Sequence, residues 1–123
     1  MQEHNYSIKQ WAKDDRPREK LRLKGAENLS HAELLAILIN HGTRTRSALD
    51  LARDVLQLGK NSLVELGKLT VRDLMKVKGI GEAKAITIAA ALELGRRRQA
   101  LGALEKPVAG SSFEIAAFLQ QQL

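Results

Sequence analysis

The chain has no cysteine, two prolines and only 3% aromatic residues. Without cysteine there is neither a disulfide framework nor a thiolate metal site. With so few aromatic rings, single-stranded nucleic acid has little to stack on. No apolar run reaches the roughly 18 residues needed to span a bilayer. The first residues lack the apolar centre of a signal peptide, so the expected location is the cytoplasm, with no membrane partner. β-branched residues never alternate in strand-like runs.

What is present is an aliphatic chain of 123 residues with 44% hydrophobic content. That length suffices for one domain with a core of Leu, Ile, Val and Ala, which suits close helix packing. The expected fold class is all-α. Twenty basic and 14 acidic residues leave a net charge of +6. The excess gathers between Thr70 and Arg98, where seven basic residues face three acidic ones, a net of +4. A local excess of this kind points to an anionic partner more than the total does.

Five Ser/Thr-x-x-Asp/Glu boxes punctuate the chain, at Ser30 with Glu33, Ser47 with Asp50, Ser62 with Glu65, Thr70 with Asp73, and Ser111 with Glu114. Each hydroxyl caps a bare helix N–H while the acid reaches back. They predict helices over 31–40, 48–58, 63–67, 71–77 and 112–122. Pro17 suits a first helical position and Gly25 a stop, predicting a helix from Pro17 to Lys24. A long helix is expected from Gly81 to about Gln99. Residues 1–13 read as a flexible arm, with Trp11 as its anchor. Residues 14–101 read as the domain. Residues 102–123 read as a linker and an extra C-terminal helix, the first element of a following domain that this chain does not contain.

Residues 74–88 carry the sharpest signal. Leu74 and Val77 precede a turn of Gly79, Ile80 and Gly81, and Ala85, Ile88 and Ala89 follow it at helical spacing. Two glycines permit a tight turn and leave backbone N–H groups bare at the next helix start, which attracts anions. Lys76, Lys78 and Lys84 flank the turn. Leu74, Val77, Gly79, Ile80, Gly81 and Ala85 fill every defined place of a pattern that resembles the helix-hairpin-helix motif, a sequence-independent DNA-binding element. Ile80 is expected to plug the space between the two helices. A weak internal repeat aligns residues 41–52 with 78–89, matching Gly42 to Gly79, Ala48 to Ala85, Leu51 to Ile88 and Ala52 to Ala89. Arg44 stands where the second copy has Gly81, so the first hairpin is degenerate. Thr43, Arg44, Arg46 and Ser47 are its candidate phosphate contacts, the guanidinium standing in for a glycine's close approach. The expected architecture is a double helix-hairpin-helix-like bundle.

A broader resemblance follows from Asp15-Arg-Pro-Arg-Glu-Lys-Leu21, Leu29-Ser-His-Ala-Glu-Leu-Leu-Ala-Ile-Leu38, Gly42-Thr-Arg44, Ser47-Ala-Leu-Asp-Leu-Ala52, Lys78-Gly-Ile-Gly81 and Ala91-Leu-Glu-Leu-Gly-Arg96. These blocks recur in this order in RadC-like proteins, and the likeness covers residues 8 to 123. It resembles the N-terminal domain of that family, long named for DNA repair. The resemblance implies a C-terminal JAB/MPN-type domain, a zinc-dependent hydrolase with a His-x-His pair. This chain has only His4, His31 and His41, none in such a pair, and no Asp after Asp73. No cofactor is expected here, and zinc only in the absent domain.

The leading expectation is a non-enzymatic module that binds duplex or branched DNA without reading bases. The alternative is a protein-interaction or regulatory module that positions the hydrolase domain, its other partner. A DNA glycosylase, which some hairpin proteins are, is set aside because the carboxylates after Gly81 form no recognisable site.

Overall fold

The computed structural model describes residues 2–105, with side chains from 12 to 104. The order is α1 (Gln2–Lys24), a 3-10 turn (Ala26–Asn28), α2 (His31–Ile39), α3 (Ala48–Leu58), α4 (Leu63–Gly67), α5 (Val71–Leu74) and α6 (Glu82–Glu105). No strand occurs among the described residues, so the all-α expectation holds. The chain divides into two compact units, Met1–Ala90 and Ala91–Leu123.

In the first unit α2 packs along α3, α1 lies against both, and α4 meets α3. The reason is legible in α3, where Ala48, Leu51, Ala52, Val55 and Leu56 fall at i, i+3, i+4, i+7 and i+8 and are all buried. Each fully buried Leu, Val or Ile contributes about 1.5–3 kcal/mol. Leu66, Leu74, Ile80, Ala85 and Ile88 complete the aliphatic core from the later elements.

Helix starts follow the boxes. Ser30 with Glu33, Ser47 with Asp50 and Thr70 with Asp73 form reciprocal pairs, while Ser62 accepts from the Glu65 N–H without the return bond. The box at Ser111 and its helix over 112–122 lie outside the described residues.

Three boundaries differ from expectation. α1 begins at Gln2, and Pro17 lies inside it rather than at its first position. Pro17 has no N–H to give, yet the helical turn before it is held by a tertiary bond. Asp14 accepts hydrogen bonds from the backbone N–H groups of Gly42 and Ala48. The Trp11 side chain lies outside those described. α5 stops at Leu74, because the Lys76 and Val77 N–H groups bond to Asp73 and Leu74 three residues back, a tightening ahead of the turn. α6 continues to Glu105 past Gly95 and Gly102, so Arg96, Arg97 and Arg98 stand inside a helix and not at its end.

Candidate nucleic-acid interface

The second turn is built by Gly79. Its φ is +98°, a left-handed backbone that side chains resist. A Cβ there would stand 2.8 Å from Leu51 Cδ2 and 3.0 Å from Thr43 Cγ2. The turn thus lies directly on α3 and beside the first turn. Ile80, 3% exposed, packs inward as its apolar character requires. Gly81 is exposed, lacks a positive φ, and a Cβ there would meet nothing within 4 Å.

The first backbone donor bonded into α6 is the Ala85 N–H, to the Gly81 carbonyl at 3.0 Å. The N–H groups of Glu82, Ala83 and Lys84 therefore have no helical acceptor. Gly81, Glu82 and Ala83 are exposed. An open set of donors faces solvent at the positive end of a 24-residue helix. Glu82 shares that first turn, so its carboxylate already answers part of the dipole.

The three lysines divide. Lys78 is exposed and has no ion-pair partner among the described residues. Lys76 pairs with Asp73 at 3.3 Å. Lys84 donates an Nζ–H hydrogen bond to the His41 carbonyl at 2.6 Å, tying α6 to the first turn. Burial pushes its ammonium below the ordinary lysine value, and the nearby Asp14 charge opposes that shift.

The first turn is organised differently. The Thr43 N–H donates to the Arg46 carbonyl at 2.7 Å, and the Arg46 N–H donates to Thr43 Oγ1 at 3.1 Å. Arg46 grips Asp54 through two bonds of 2.8 and 2.7 Å. Ser47 is 7% exposed, and its hydroxyl accepts the Asp50 N–H. Arg44 is exposed. The aligned glycines hide a difference in register. Ala48 is the first residue of α3, whereas its counterpart Ala85 is the fourth of α6. Of the first-turn candidates, then, Arg46 and Ser47 serve the turn itself.

Asp14 is the residue the sequence pattern did not single out. It is 4% exposed. Its Oδ2 accepts the Gly42 N–H at 3.0 Å and its Oδ1 the Ala48 N–H at 2.7 Å. The signal lay in helical spacing, since Asp14, buried Pro17 and half-buried Leu21 share one face of α1. Along α1, Lys20 reaches Glu33 at 3.1 Å and Arg18 reaches Asn40.

Within the second unit, hydrogen bonds from Arg96 and then Arg97 hold the carboxyl of half-buried Glu93 down at about 2. Those two guanidinium groups are thereby committed to a carboxylate on their own helix. Among the described residues no three His, Asp or Glu side chains gather as metal ligands, and no helix is long and apolar enough to cross a membrane.

No solved structure matches the chain. A UPF0758 protein of Flavobacterium johnsoniae is 50% identical over 120 residues, covering 98% of this chain and 52% of the relative. One from Moorella thermoacetica is 45% identical over 117 residues, 95% of this chain and 50% of the relative. One from Staphylococcus carnosus is 51% identical over 90 residues, 73% of this chain and 39% of the relative. The chain thus spans about half the length, or less, of these relatives. A family model described as UPF0758 N-terminal matches residues 8–86. With well over half of its residues inside that match, the chain belongs to the UPF0758 family, the RadC-like family its sequence blocks resemble, and carries its N-terminal region.

Proposed function

We propose that the chain is a cytoplasmic, sequence-independent DNA-binding module that grips backbone phosphates through the second turn as a helix-hairpin-helix element. The observation that carries this reading is the set of unbonded N–H groups at 82–84 behind exposed Gly81. Lys78 adds an exposed charge, and the net of +4 over 70–98 adds a longer-range field. Such contacts position a protein on duplex or branched DNA without reading bases. Catalysis is assigned to no residue of this chain. By family resemblance, a zinc-dependent JAB/MPN-type hydrolase belongs to the half of the relatives that this chain does not span.

The test is affinity for duplex DNA against salt. With about four phosphates engaged, log affinity falls with log salt at a slope near −3.6. Gly81→Val crowds the donors at a place where a Cβ meets nothing, so the fold should persist while binding drops. Arg44→Ala should cost less, on the order of 1.5–3 kcal/mol at most. Circular dichroism and melting monitor folding. A flat salt response, or a folded Gly81→Val chain that binds as well as the parent, overturns the reading.

A second reading is a protein-interaction module that positions the hydrolase domain. The internal commitment of Arg46 and Ser47 favours it, because both side chains serve the first turn itself. It takes the lead if DNA binding fails the salt test.

A further inference from the structure

Phosphate-binding turns work by offering two or more backbone N–H groups to the oxygens of one anion near a helix start. The first turn has such a pair of donors in Gly42 and Ala48, and both are already answered. Gly42 and Ala48 stand at the two ends of the turn, and each N–H ends on a different oxygen of one carboxylate, Asp14. The Asp50 carboxylate takes the Ser47 N–H, and the Ser47 hydroxyl takes that of Asp50. Asp14 comes from another helix, is 4% exposed, and sits where the dipole of α3 favours negative charge. Two charge-assisted bonds offset the cost of burying it. At the second turn no carboxylate from elsewhere in the described chain reaches the N–H groups of 82–84.

We infer that Asp14 is an internal anion seated in the first turn in place of a phosphate, so that the module has one open grip and not two. The inference rests on the phosphate-gripping reading of the second turn, and it changes what that reading expects of DNA. A pair of equal turns brackets both strands of a groove. With the first turn closed, the turn-borne contacts follow a single run of phosphates on one strand. A phosphate approaching the first turn would have to displace a buried carboxylate of its own charge.

The experiment is an amide-resolved NMR titration of the chain with inorganic phosphate, then with a short duplex. In the parent, the amides of 81–84 should shift while those of Gly42 and Ala48 stay still. In Asp14→Ala, Gly42 and Ala48 should shift as well. Its duplex salt slope should steepen by about 0.9 for each phosphate gained. Asp14→Asn keeps the shape and one acceptor oxygen, so one of the two amides should respond. This variant, with the parent titration, decides the matter if Asp14→Ala does not fold. Movement of Gly42 or Ala48 in the parent overturns the inference. So does a folded Asp14 variant in which neither amide gains a response, since the carboxylate then only ties the loop. Stationary amides at 81–84 in the parent would instead remove the reading of the second turn, while the variants still report on the first.

Discussion

At Gly79 the backbone stands at φ +98°, and a Cβ would press within 2.8 Å of Leu51 Cδ2. Two residues on, Gly81 has open space and an ordinary φ. The two glycines therefore answer different needs, one conformational and one of access. Gly79→Ala should destabilise by about 1–3 kcal/mol, through a strained conformation and a pushed neighbour. Gly81→Ala should leave stability within about 1 kcal/mol. Urea unfolding of both variants checks this, and equal losses would contradict the assignment. Lys84 shows how a tertiary contact redirects a residue. Charge next to a helix start reads as a phosphate ligand, and here one N–H of the ammonium is directed to the His41 carbonyl.

The helices owe their starts to boxes whose acids are ionised. The Ser30 backbone N–H, first among its causes, holds Glu33 below its ordinary value, and the Thr70 N–H does the same for Asp73. For Asp50, burial pushes upward and is outweighed by the bonds from Ser47 and the nearby arginines, so its carboxyl also stays low. A depressed folded value means stability that is present above the unfolded carboxylate value, about 4, and lost as pH falls through the depressed range. The melting temperature should be level from pH 7 to about 5 and decline below about 4. A melting temperature unchanged down to about pH 2.5 would contradict this. Ser47→Ala removes a buried cap and should cost about 1 kcal/mol at neutral pH. Pro17 makes the same point about elements. Its pattern reads as a helix start, yet the helix passes through it, with Asp14, one turn earlier, accepting from Gly42 and Ala48.

For the first unit as a whole, stability rests on a small aliphatic core with α3 at its centre. Leu51 is fully buried and lies under the Gly79 turn. Leu51→Ala should cost about 2–5 kcal/mol, a large share of the 5–15 kcal/mol typical of a domain. Leu94, in the second unit, is 68% exposed, and Leu94→Ala should stay within about 0.5 kcal/mol. Chemical denaturation followed by circular dichroism compares them. Similar losses would mean that the core is not where burial puts it.

The helical class, four helix starts and the inward Ile80 are legible from the residues alone. These follow from local rules, namely hydroxyl-acid spacing, apolar periodicity and a glycine turn, which act within one or two turns of chain. The residues also place open donors behind Gly81, because a helix start without a capping side chain leaves them bare. Tertiary structure decided the rest. The aim of Lys84 and the closing of the first turn depend on residues 28 to 43 positions apart. No periodicity reports a carboxylate on one helix meeting two backbone N–H groups beside another. Only folding brings Asp14 to Gly42 and Ala48, where burial and the helix dipole make that pairing favourable.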